Sequence, residues 1–96
     1  MRRVKKLSAV EILETAASLV GGDRAETHGD MRAVHRDAAR MWSLYIGRPI
    51  DARDVAVMMA LLKIVRQKHG RFNLDDYIDG AGYLAIAGAL AEPDEC

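Results

Sequence analysis

The chain has 96 residues, and 14 Lys and Arg balance 14 Asp and Glu, so bulk electrostatics give no attraction to nucleic acid or an acidic membrane. Half of the residues are apolar and only 5% aromatic, which favours helices over sheets in one small domain that buries roughly 60–65% of its unfolded surface. The single cysteine, Cys96, excludes an intrachain disulfide and fits a reducing, cytoplasmic compartment, and the longest uncharged run, Ala81 to Ala91, is too short to span a bilayer.

Residues 1–7, with Arg2, Arg3, Lys5 and Lys6, read as a solvated basic arm ahead of a helical domain over 8–92 and a short tail over 93–96. Ser8 followed by Glu11 is a capping box. Val10, Leu13, Ala17 and Val20 then recur at helical spacing and give the first helix, 8–20, its expected inner face, with Gly21-Gly22 ending it. Glu11 and Glu14 lie one turn apart, but the capping box and a solvated face account for them without a metal.

The connection Gly21 to Asp30, GGDRAETHGD, carries Glu26, His28 and Asp30 at alternate positions. These are secondary candidates for ligation or proton transfer, although the spacing matches no strong metal signature and Asp30 has a sufficient role as the next N-cap. The second helix is expected over 31–46, with Met31, Val34, Ala38, Met41 and Tyr45 inside and Arg32, Arg36, Asp37 and Arg40 mostly outside. His35, Trp42 and Ile46 flank that stripe. His35 is a further secondary candidate, for which packing is the simpler role.

Gly47-Arg48-Pro49 breaks the chain, and Asp51 with Asp54 restarts it through a second capping box, predicting a third helix over 52–69. Its stretch Val55 to Val65, VAVMMALLKIV, holds a single charge, Lys63, and no helix breaker, so burial on every side is expected. A four-helix monomer covers at most three sides of such a helix, which predicts a homodimer. This helix offers no row of Arg, Asn and Gln to read base edges, so specific DNA binding is not expected. After the turn Gly70-Arg71-Phe72, Asn73 caps a fourth helix over 74–91 that ends at Glu92-Pro93. Short connections between four helices imply an antiparallel four-helix bundle.

The most informative constellation spans the last two helices. Lys63 and Arg66 lie one turn apart on the third, and Asp76 and Asp79 one turn apart on the fourth. With a fold-back near residues 70–73 and a climb of about 1.5 Å per residue, Arg66 meets Asp76 at one level and Lys63 meets Asp79 at the next. Two cations facing two carboxylates make either a structural ion network or a site, because an uncompensated buried charge costs several kcal/mol. Gly80, Ala81, Gly82, Ala85 and Gly88 weaken the fourth helix by roughly 1 kcal/mol per Gly relative to Ala, which suits close approach of another helix.

The runs Asp75-Asp76-Tyr77-Ile78-Asp79-Gly80-Ala81-Gly82-Tyr83 and Leu61-Leu62-Lys63-Ile64-Val65-Arg66 resemble a small helical family of unknown function encoded by phages and prophages. The resemblance extends through Arg24 to Asp30 and Trp42 to Tyr45, and so covers roughly residues 24–90. More distantly, Asp76-x-x-Asp79 is similar to the Glu-x-x-Asp of MazG-like all-α nucleoside triphosphate pyrophosphohydrolases, which implies a dimeric bundle holding Mg2+ and a nucleotide. That family pairs its late motif with a Glu-x-x-Glu, where this chain has Lys63-x-x-Arg66. Half of the metal site is therefore replaced by cations.

Three functions compete on these residues. The favoured one is an accessory interaction protein that engages a host or phage protein on a degenerate MazG-like bundle, with the four charges as a latch. The second is a Mg2+-dependent pyrophosphohydrolase with the metal on Asp76 and Asp79 and phosphates on Lys63 and Arg66. The third is a nucleotide-binding module without catalysis.

Overall fold

A computed structural model describes residues 6–22 and 29–91. Among them the chain is all-helical, with four helices and no strand: α1 (Ala9–Gly21), α2 (Met31–Ile46), α3 (Ala52–Arg66) and α4 (Leu74–Leu90). None is long and apolar enough to cross a membrane.

Each helix starts where a side chain accepts a bond from an otherwise orphaned backbone N–H. Ser8 and Glu11 close one capping box, at 3.1 and 2.9 Å, and Asp51 and Asp54 close another, at 2.8 and 3.0 Å. Asp30 accepts from the N–H of Arg32, and Asn73 accepts from that of Asp75. α2 stops at Gly47, whose φ of 80° places it in the left-handed region that glycine enters without strain. α3 ends at Arg66 and not at 69, because the chain tightens through residues 67–69 into Gly70 at φ 68°.

α3 and α4 form the central antiparallel hairpin, with α1 against α4 and α2 against α3. Arg32 on α2 also donates to the carbonyl of Ala89, near the C-terminal end of α4 where that oxygen has no helical partner. In the connection from α2 to α3, the Ser43 hydroxyl accepts from the N–H of Ile50 at 2.9 Å and donates to its carbonyl at 3.3 Å.

The core is made of small residues. Ala56, Ile86 and Ala87 are buried together, with Val20, Met31, Val57, Tyr83 and Leu90 packed around them. Gly80 and Gly82 lie at helix contacts without being required by them: a methyl at Gly80 would lie 3.5 Å from Lys63 Cβ and one at Gly82 3.4 Å from Val20, both ordinary van der Waals distances. Gly88 contradicts the expectation of close approach, since it is exposed and nothing stands within 4 Å of an added methyl.

The buried faces of the outer helices differ from those expected. On α1 the inner residue is Ala16, flanked by Ile12, Leu19 and Val20, whereas Val10, Leu13 and Ala17 are exposed. On α2 the inner residues are His35 and Ala39 with Met31 and Trp42 half-buried, whereas Val34, Met41 and Tyr45 face outward, Tyr45 being 93% exposed. The physical reason is the narrow gap between helices, which accepts Ala where Leu or Tyr would hold the backbones apart. Burial of α3 on every side is likewise corrected: Val55, Ala56 and Ala60 are buried, but Met58, Leu61, Leu62, Ile64 and Val65 are exposed in the single chain.

Two substitutions test this account by urea denaturation. Asp51→Ala, which removes the α3 cap, lowers stability by about 1 kcal/mol. Gly88→Ala, which meets no neighbour and raises helix propensity, increases it by about 0.5–1 kcal/mol.

Candidate functional site

The α3–α4 hairpin brings its four charged side chains together level by level. Lys63 Nζ lies 3.3 Å from Asp79 Oδ2, with the two side chains only 14% and 15% exposed. One turn nearer the fold-back, Arg66 Nε lies 3.4 Å from Asp76 Oδ1, with side chains 53% and 6% exposed. The first pair is enclosed, and the second has a covered carboxylate under a half-solvated guanidinium.

The helix ends reinforce this arrangement. Lys63 and Arg66 occupy the last turn of α3, where the partial negative charge of the carbonyls favours cations. Asp76 occupies the first turn of α4, where free N–H groups favour carboxylates. Asp79 lies one turn further in and has less of that support. Arg66–Asp76 thus has the helix end as a second source of compensation.

The other candidates lie elsewhere. Asp30 is exposed and occupied by capping α2. Glu26 and His28 lie outside the described residues. His35 is buried, its Nδ1 is 2.8 Å from the carbonyl oxygen of Met31, and its ring centroid is 6.3 Å from that of Tyr83, the planes tilted by 56°. His35 and Asp79 border one cavity, so Asp79 faces both the hairpin and that space. Tyr83 shares the cavity wall and had no assigned role in the sequence, because a tyrosine in a Gly- and Ala-rich helix carries no local signal of what it faces.

Chemically, the four hairpin charges form two matched pairs, one cation to each carboxylate. Among the described residues, no group of three or more His, Cys, Asp or Glu is placed to hold a metal ion. Mg2+ favours an octahedral set of hard oxygens, usually one or two carboxylates with waters and substrate phosphates. Two aspartates that each already face a cation do not fit that requirement.

Comparisons with known proteins support the first resemblance. Residues 11–91 match the model of a family described as a domain of unknown function, DUF6378. The chain is 36% identical over 87 residues to the Gene 55 protein of Mycobacterium phage L5, covering 90% of this chain and 56% of that protein. It is 39% identical over 81 residues to the Gene 55 protein of Mycobacterium phage D29, covering 84% of this chain and 54% of that protein. The chain thus spans about half the length of these curated relatives. No solved structure matches it. The chain belongs to the DUF6378 family, a helical domain of unknown function whose relatives include mycobacteriophage proteins.

Proposed function

We propose that this is a phage-encoded interaction protein, acting in the host cytoplasm as a homodimer, whose Lys63, Arg66, Asp76 and Asp79 form a structural latch and not a reaction centre. The carrying observation is the outward face of α3. At about 100° per residue, Met58, Leu61, Leu62 and Val65 fall on one stripe, roughly opposite the side formed by Ala56 and Ala60 that meets the core. All four are exposed, and no charge interrupts the stripe. Contiguous apolar surface of this kind marks an interface.

A second copy of the chain is the simplest occupant. A stripe of Met, Leu, Leu and Val is complementary to itself across a twofold axis, and its lack of charge leaves no like-charge repulsion between copies. α2 adds Met41, Leu44 and Tyr45 to the exposed apolar surface, which extends the area available for a dimer and for a host or phage protein.

Nucleotide binding on a MazG-like bundle is the second reading. It is favoured by one observation, the half-exposed guanidinium of Arg66, which can reach an anion while Asp76 stays covered.

The dimer is tested by sedimentation equilibrium at micromolar concentration. Twice the chain mass is expected, falling to the single-chain mass in Leu62→Glu with helicity retained; a monomeric wild type refutes it. The latch is tested by double-mutant cycles in urea. The expected coupling is about 1–3 kcal/mol for Lys63 with Asp79 and under about 1 kcal/mol for Arg66 with Asp76, whose guanidinium is solvated. Asp79→Asn is expected to destabilise; a rise in its melting temperature, or a rise of the wild type's with Mg2+ and a nucleoside triphosphate, supports the nucleotide reading instead.

A further inference from the structure

A cavity of about 330 Å3 lies among α1, α2 and α4, on the side of Asp79 away from the hairpin turn. Its volume falls in the range of small-molecule sites, which begins at about 300 Å3. Most of its wall is apolar, supplied by side chains such as Leu19, Val20, Ile78 and Ile86. Three side chains give it polar or aromatic character: His35, Tyr83 and Asp79.

The state of His35 follows from its one hydrogen bond. A carbonyl oxygen only accepts, so the 2.8 Å contact to Met31 requires the proton on Nδ1. As an imidazole, the ring then presents a lone pair at Nε2, for which no partner stands among the described residues. His35 as a whole is 8% exposed, so most of the ring is covered by the protein. The Asp79 carboxylate borders the same wall with its charge already paired to Lys63. The Tyr83 ring adds an aromatic surface beside the imidazole.

We propose that this cavity is a small-molecule site for a flat, largely apolar, uncharged heteroaromatic compound that donates an N–H to His35 Nε2. The volume limits the size, the apolar wall and Tyr83 favour an aromatic body, and the His35 acceptor requires a donor. The site is independent of pairing through α3, and its class of ligand is the opposite of a polyanionic nucleotide.

Indole and indene test this directly. They share a bicyclic shape, and only indole carries the N–H. Titration of the full isotope-labelled chain followed by amide resonances is expected to show saturable shifts at Ala16, Gly82 and Tyr83 with indole, with a Kd of about 1 mM or tighter. Indene is expected to bind about three- to tenfold more weakly, the difference of one hydrogen bond. His35→Phe, which keeps a ring of similar size, abolishes the preference. Val34→Trp, which enlarges a half-exposed side chain of the cavity wall on α2, abolishes the indole response while circular dichroism retains the helical signal. No saturable response to indole, equal binding of the two probes, a preference that survives in His35→Phe, or a response that survives in a folded Val34→Trp would each overturn the proposal.

Discussion

Lys63 stands in the last turn of α3 with its side chain only 14% exposed, and the carboxylate of Asp79 is what makes a charge tenable there. An ammonium this far from water without its partner costs several kcal/mol, which a domain of this size cannot absorb easily. The pair also sets register. A slide of one turn along the α3–α4 hairpin would leave one cation and one carboxylate unmatched, so the alternative pairings are penalised by desolvation. Gly80 lies at the same contact, where an added methyl would stand 3.5 Å from Lys63 Cβ. With the hairpin registered, α4 offers the surface on which α1 lies, and α3 the surface on which α2 lies.

The second constraint is thinness. Helices that meet through Ala16, Ala39, Ala56, Ala60 and Ala87 bury little apolar area per residue, and no described residue with a large side chain is fully buried. The larger apolar side chains of α1, α2 and α3 are displaced outward, into water in the single chain. Hydrophobic burial, the main driving force of folding and association, is thus only partly used inside one chain. This is the physical ground for the proposed role in assembly. The charges nearest the hairpin turn, in contrast, face one another in pairs.

Asp79 connects these two properties. One side of its carboxylate holds Lys63, and the same residue borders the cavity with His35 and Tyr83. A ligand in that cavity would therefore touch the residue on which the hairpin register depends, giving small-molecule binding and bundle integrity a common element.

Much of this was legible in the sequence, for local reasons. Capping by Ser8, Asp30, Asp51 and Asn73 is a matter of residues within one turn, so all four helix starts could be read directly. The pairing of Arg66 with Asp76 and Lys63 with Asp79 followed from helix rise and a short turn alone. The end of α3 was misplaced by three residues, since the tightening before Gly70 depends on how the hairpin closes. What only the tertiary structure decided is which apolar stripe faces inward. Periodicity ranks stripes by hydrophobicity, and it predicted Val10 with Leu13 and Met41 with Tyr45 as core. The fold selected Ala16 and Ala39 instead, because the distance between packed backbones is a property of the neighbouring helix and is not written in the periodicity of either one. The cavity beside His35 belongs to the same class: it is the space left where three helices, each legible alone, fail to meet.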